Sequence, residues 1–409
     1  MRPRTLAIVD GEHYPPVVRD ALAALPYDFV AAVLVGGTEK LRPGPRGGED
    51  YGVPLLADVA EALGQYEPEL VYDLSDEPVL GPAARLRLAS RVLAAGVPYA
   101  GPDFRLEPPE LLPIDLPSIA IVGTGKRVGK TAVTGHVARV VAMDRRVVVV
   151  SMGRGGPPEP ELVVEPPTLE RLLARSRAGG HAASDYLETA ALSGVPTVGC
   201  RRCGGGLAGA VATSNVLEGI DLAARAEPEL LVLDASGASV PPVAADRRIL
   251  VARDGADATS YLNAYRVLIS DIVVLVGGGG GDAIRELKDV PVVRVELRLR
   301  PGRPLDGCRA AIFTTGQAPV EHLDCDVALV SRNLADRPAL RADLERADAD
   351  VFLVELKAAA IDVVAEAAAE RGADVVLLEN EIVPVDGEPD LDALIRSMAD
   401  SVCPVEVAP

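Results

Sequence analysis

One nine-residue run, Gly123-Thr124-Gly125-Lys126-Arg127-Val128-Gly129-Lys130-Thr131, holds the residue types that cradle phosphate. Glycines at 123, 125 and 129 let main-chain N–H groups approach phosphate oxygens closely. Lys130 can reach β- and γ-phosphates, and the Thr131 hydroxyl can ligand Mg²⁺. The flanks supply the elements that must position it. Ile119, Ala120, Ile121 and Val122 form an apolar strand before the run, and Ala132, Val133, Val137, Val140 and Val141 follow at the spacing of one buried helical stripe. The first N–H groups of a helix lack internal partners and its dipole adds positive potential, so an anion satisfies both. Strand, glycine loop and helix together make a P-loop. The strict spacing G-x-x-x-x-G-K-[ST] wants glycine at 124; threonine stands there and glycine comes one position early. The alternative, an ordinary glycine-rich βα turn, does not account for G-K-T opening a periodic helix directly after a strand. The chain has only five lysines (Lys40, Lys126, Lys130, Lys288 and Lys357), and two of them lie in this loop.

Other candidates sit at strand ends. Leu230-Leu231-Val232-Leu233-Asp234 is an apolar run closing on a carboxylate, which fits a Walker B strand whose Asp234 holds Mg²⁺ directly or through water. A strand at 146–151 exits into Met152-Gly153-Arg154-Gly155-Gly156, where Arg154 could fork onto a phosphate or carboxylate or lie in a plain surface loop. A short strand at 195–199 leads into Cys200-Arg201-Arg202-Cys203 and three glycines, which read as a second anion site, half a metal knuckle or a solvated turn. His13, just after the first strand, could bind phosphate, move a proton or cap the helix that starts at Pro15-Pro16.

The chain order is that of alternating strands and helices. Strands at 5–9, 29–35, 69–74 and 97–99 with helices near 15–25, 57–64 and 81–95 predict a Rossmann-like parallel-sheet domain over 1–112. Parallel strands would put Asp10-Gly11-Glu12-His13, Gly36-Gly37-Thr38-Glu39-Lys40, Ser75-Asp76-Glu77 and Gly101-Pro102-Asp103 on one rim. No G-x-G-x-x-G follows the first strand, so a nicotinamide cofactor is not indicated. A proline-rich linker at 107–113 leads to a P-loop ATP-binding domain at 113–325. Strands at 327–330, 351–356 and 374–378 with helices at 338–346 and 358–371 form a C-terminal βα extension or small domain over 326–409. There Glu355, Lys357 and Glu379-Asn380-Glu381 read as solvated strand-end charges. The buried strand at 272–276 runs into five glycines, 277–281, which could be a backbone cradle or a hinge.

Composition narrows the partners. Forty-one Lys plus Arg against 60 Asp plus Glu leave a net charge of −19, which repels nucleic acid while allowing a small anion in a local cluster of arginines. No apolar stretch approaches a membrane span, and five cysteines without an export signal point to reduced thiols, hence a cytoplasmic protein. None of the asparagines (Asn215, Asn263, Asn333, Asn380) precedes a lysine, so the guanine-reading Asn-Lys-x-Asp element is missing and ATP is expected.

The loop resembles the G-T-x-x-x-x-G-K-T loops of dethiobiotin synthetase and its relatives. Taken with Gly11-Glu12-His13-Tyr14-Pro15-Pro16, Met152-Gly153-Arg154-Gly155-Gly156-Pro157 and Glu355-Leu356-Lys357, the chain is similar over nearly its whole length to the cyclic 2,3-diphosphoglycerate synthetase family. That resemblance implies an ATP- and Mg²⁺-dependent homodimeric ligase closing 2,3-bisphosphoglycerate into its cyclic anhydride. Lys130, Lys126 and Arg154 would be catalytic, residues 123–131 would hold ATP, and Thr131 and Asp234 would hold metal. Arg127, Arg154, Arg201, Arg202 and His13 would bind substrate. Rival readings are another small-acid ligase or kinase of the dethiobiotin synthetase type, and a P-loop ATPase switch.

Overall fold

A computed structural model describes residues 2–37, 51–317 and 319–404; Thr38, Glu39 and Lys40 of the expected rim lie outside them. Two sheets organise the chain. The first has six strands in the order Leu55–Leu56, Asp28–Leu34, Arg4–Val9, Leu70–Asp73, Tyr99–Ala100 and Arg105–Leu106. All neighbours run parallel except the last pair. The turns after Val9, Leu34, Asp73 and Ala100 therefore share one rim, as the alternating pattern predicts.

The second sheet has 13 strands. The P-loop strand Ser118–Gly123 lies inside it, between Leu230–Asp234 and Arg247–Ala252, with Val147–Gly153 and Thr197–Cys203 beyond the former and Ile272–Val276 beyond the latter. These strands are apolar on both faces because helices cover both, the arrangement that parallel sheets require. Past Ile272–Val276 comes Val292–Pro301, which pairs antiparallel with Asp374–Pro384 over seven residues. That junction carries the sheet onward through Val351–Glu355, Arg309–Phe313 and Asp326–Ser331. The C-terminal strands continue the P-loop sheet, and Arg309–Phe313 sits among them.

Several elements differ from the sequence-based expectation. The strand expected to stop at 199 runs on to Cys203, because Cys200 and Arg201 pair with Met152 and Gly153 while Arg202 and Cys203 pair with Ser214 and Thr213. In the linker, Leu112 still makes a parallel bridge to Val243, since its own N–H is free to donate to Pro242. The alanine-rich helix begins as a π-helical stretch, Ala360–Ala365, before turning α over Glu366–Arg371. A further helix, Leu391–Val402, starts at Asp390, whose side chain accepts from the Ala393 N–H. Its Leu391, Ile395, Met398 and Ala399 share one core with Val133, Val137 and Val141 of the P-loop helix. The His136 ring and Asp392, 2.8 Å apart, tie the same two helices.

The glycine run after Val276 is stitched to a neighbouring turn. Gly277 donates to Val295, Gly278 to Arg253, and Gly255 to Gly279. Backbone passes backbone so closely that a Cβ on Gly255 would fall 2.0 Å from the Gly280 carbonyl oxygen. Gly255→Ala is expected to destabilise the protein by about 1–3 kcal/mol through this overlap, read as a lowered urea midpoint with an unchanged slope; a parental midpoint would mean that the two turns can part without cost.

Candidate active site

The P-loop helix, Lys130–Ala142, begins at Gly129, which adopts a left-handed φ of 87° against the Val276 side chain. Arg127 is also left-handed, at φ 59°. A non-glycine residue is held there only when its surroundings impose it, and such positions cluster at functional sites. The departure at 124 has a plain cause: Thr124 needs no left-handed backbone, and its hydroxyl donates to Asp257 at 2.6 Å while its N–H bonds Val251. Gly123 is required instead, since a Cβ there would come 3.0 Å from the Gly237 carbonyl oxygen. Lys126 and Arg127 are exposed, whereas Val128 is buried in the core and anchors the loop.

Lys130 is buried and its ammonium pairs with Asp234. Asp234 ends its strand fully buried and also accepts from Thr134 (2.8 Å) and Ser151 (3.0 Å). The expected Walker A lysine and Walker B aspartate thus meet at the carboxyl end of adjacent strands. Thr131 opens the helix beside them.

The expected anion-binding arginines converge in part. Arg154 is exposed, and its guanidinium lies against Gly237, where a Cβ would be 2.3 Å from one terminal nitrogen. Arg202 reaches the same segment, donating to the Ser236 carbonyl at 2.9 Å and to the Gly204 carbonyl at 2.7 Å. Burial and the Arg154 charge both push the Arg202 pKa down. Among the described residues, neither arginine has a carboxylate in ion-pair range, nor do Lys126, Arg127 or Arg201. Arg201 alternates to the other face of its strand from Arg202. Cys200 and Cys203, three apart on that strand, likewise face opposite ways, one buried and one exposed, so they do not form a knuckle. The His181 ring, which sequence reading passed over, lies against Gly155 beside Arg154.

His13 stays on the rim of the first sheet. Its Nδ1 lies 2.8 Å from Asp10 and its Nε2 3.8 Å from Asp76, and among the described residues no P-loop residue partners it. Asp10 is buried; burial pushes its pKa up, but hydrogen bonds from Asp76, His13 and the local backbone prevail and hold it below the usual value. Next to it Asp73 accepts from Ser75, Arg85 and Tyr99.

Most of the C-terminal charges are enclosed rather than solvated, contrary to expectation. Thr131, Glu188, Lys357, Glu379 and Asn380 line one small cavity at the start of the P-loop helix. Lys357 lies 3.2 Å from Glu188 and 3.9 Å from Glu355. Glu355 is buried and accepts from Thr314, Thr315 and Asn380. Burial raises its pKa, but Lys357 and these donors outweigh that and keep it low. Burial also works against the Lys357 charge, yet the two carboxylates hold its pKa above the ordinary value. One ammonium serves two carboxylates, and Glu188, the one with fewer donors, is pushed by burial up to about 7.

A P-loop with its buried lysine and a strand-end aspartate beside it, next to arginines without carboxylate partners among the described residues, defines a P-loop nucleotide-binding protein. Residues 4–107, 118–283 and 314–381 match, in turn, the N-terminal, P-loop and C-terminal domains of cyclic 2,3-diphosphoglycerate synthetase. A protein of that name from Rubrobacter xylanophilus is 48% identical over 93% of this chain and 94% of its own length. One from Pyrococcus abyssi is 40% identical over 97% and 98%. The solved structure of LpxK from Aquifex aeolicus with ATP is 15% identical and covers 71% of this chain and 90% of its own, at a TM-score of 0.41. The chain belongs to the cyclic 2,3-diphosphoglycerate synthetase family.

The Glu188 proton has a consequence for stability. An acid whose folded pKa exceeds its unfolded one keeps its proton preferentially in the folded state, so its contribution falls as pH rises between the two values. For Glu188 that window runs from 4.5 to about 7. Glu188→Gln should therefore gain in melting temperature relative to the parent as pH rises through this window and stay level above it; a constant difference would place the proton elsewhere.

Proposed function

We propose that this chain joins the two phosphates of 2,3-bisphosphoglycerate into cyclic 2,3-diphosphoglycerate, an ATP-dependent ligase reaction that forms an intramolecular phosphoanhydride and releases ADP and phosphate. The observation that carries the reading is the segment at Gly237. Its carbonyl backs onto Gly123 of the P-loop while Arg154 and Arg202 lie against it and beside it. A pair of guanidinium groups without carboxylate partners thus stands one backbone segment from the nucleotide loop. The names of its relatives supply the substrate that such a pair would hold.

Anhydride formation needs one phosphate made electrophilic. A γ-phosphoryl passed from ATP to one substrate phosphate does this; the oxygen of the neighbouring phosphate then attacks phosphorus, and inorganic phosphate leaves. The attacking oxygen is already anionic, so no general base is needed. Catalysis rests on positioning and charge compensation. Residues 123–131 hold ATP, with Lys130 on its terminal phosphates and Lys126 beside it. Arg127, Arg154 and Arg202 neutralise the bisphosphate, while Arg201, on the opposite face of its strand, does not share that cluster.

Mg²⁺ suits the donors available, a hydroxyl at Thr131 and a carboxylate at Asp234, since that ion takes few protein oxygens and fills its shell with water and phosphate. When bound it would compensate charge on the transferring phosphoryl group. Asp234, already held by Ser151 and Thr134, would orient that shell and the Lys130 ammonium. His13 would meet substrate only if the first sheet closes over the site, and the active form is a cytoplasmic homodimer.

Phosphorus NMR of the protein with ATP, Mg²⁺ and 2,3-bisphosphoglycerate tests the reaction. New upfield anhydride resonances, distinct from ADP and ATP and absent with Lys130→Ala, are expected; ATP turnover without them would send the substrate search to other small acids. Arg154→Ala should lower turnover by about 10²–10³-fold, as loss of a charge-stabilising donor does, while ATP affinity changes little. Equal losses in both would remove Arg154 from substrate binding.

A further inference from the structure

The largest fully buried side chain among the described residues is a cation, and the reaction outlined above gives it no role. Arg266, on the helix Asn263–Leu268, is 2% exposed. Its guanidinium donates to the Ala238 carbonyl from Nε (2.8 Å) and Nη2 (2.5 Å), to Leu207 from Nη2 (3.3 Å), and to Leu262 and Asn263 from Nη1 (3.1 and 3.2 Å). Every acceptor is a neutral oxygen. Among the described residues no carboxylate pairs with it, although acids outnumber bases by 60 to 41 in the chain. Burial lowers its pKa only to about 10, so it stays charged at neutral pH.

The carbonyls it gathers come from the two segments that carry the anion site. Ala238 follows Gly237, the residue flanked by Arg154 and the P-loop. Leu207 follows the three glycines after Arg201 and Arg202. The two segments are laced further where Val240 donates to Gly209 and Gly209 passes the Arg266 guanidinium, a Cβ there lying 3.2 Å from Nη2. The same short helix is where the first sheet docks: its Tyr265, with Leu262 and Ala208, shares a core with Val92, Leu93 and Tyr99.

We infer that Arg266 is a positioning residue for the anionic substrate: its guanidinium holds 207–209 and 236–240 together from behind, so that Arg154 and Arg202 present their charges in one place. This rests on the reading of those arginines as the bisphosphate site. A planar fork with five N–H donors spans two carbonyl segments at once in fixed directions, a geometry that a rotating three-donor ammonium does not impose. Its charge also serves the site. A desolvated cation with no counter-ion is unfavourable by itself, and a polyanion arriving on the far side of the loop brings the missing negative charge.

Arg266→Met keeps much of the volume and removes charge and fork; Arg266→Lys keeps the charge alone. Steady-state kinetics with 2,3-bisphosphoglycerate, ATP affinity by calorimetry and a thermal melt would be measured on parent and both variants. The expected result for Arg266→Met is a KM for bisphosphoglycerate raised about tenfold or more, with kcat and ATP affinity within about threefold. Arg266→Lys should recover part of the KM. A merely structural arginine would instead lower the melt and weaken ATP and substrate alike, and that outcome, or a parental KM, overturns the inference. If Arg266→Met does not accumulate folded, Arg266→Lys decides: a raised KM at unchanged ATP affinity supports the role, and a parental KM sinks it. A parent that binds ATP but neither binds nor converts bisphosphoglycerate would fell the functional reading first and this inference with it.

Discussion

A charged pair closed inside an apolar sheet is the constraint from which the rest follows. Lys130 and Asp234 lie where water is excluded, and each alone would be costly to bury. They are tolerated because the pair is completed by Thr134 and Ser151, hydroxyls that approach Asp234 from the P-loop helix and the next strand. Three elements, the P-loop helix and two neighbouring strands, must therefore keep register to within a hydrogen bond. The close glycine contact between Gly123 and Gly237, the left-handed turn at Gly129 and the backbone lacing around Gly255 all serve that register.

The site is assembled at strand ends. Arg154, Arg202 and Asp234 each follow or finish a parallel strand, and a parallel sheet brings such ends to one edge however far apart they lie in sequence. The arginines converge on a loop, 236–240, that is small and polar and has little character of its own. Its position is fixed by what stands behind it.

This explains what could be read from the sequence. The phosphate loop, its helix and the Asp234 strand were legible because each is local: periodic apolar residues, a glycine pattern, a terminal carboxylate. The parallel rim of the first sheet was legible for the same reason. Lys357 and Glu188 were not, because their meeting depends on the antiparallel junction of Val292–Pro301 with Asp374–Pro384, and the charges on those strands, among them Arg294, Glu296 and Arg298, blur their apolar pattern. Arg266 was hidden differently. Its helix has only six residues, and nothing local marks an arginine that faces inward. His13 was placed correctly on a rim with Asp10 and Asp76, but that its ring lies between those two carboxylates could be seen only in three dimensions.

The helix Leu391–Val402 closes the core in which Val133, Val137 and Val141 of the P-loop helix pack on their sheet. Most of the nucleotide-binding sheet emerges from the ribosome long before that cover exists. Until residues 391–402 have been synthesised, the core that the P-loop helix shares with its sheet lacks Leu391, Ile395, Met398 and Ala399 and stays open on that side. The order of synthesis thus leaves the phosphate-binding half waiting, exposed to aggregation or to a chaperone, for the last helix to arrive.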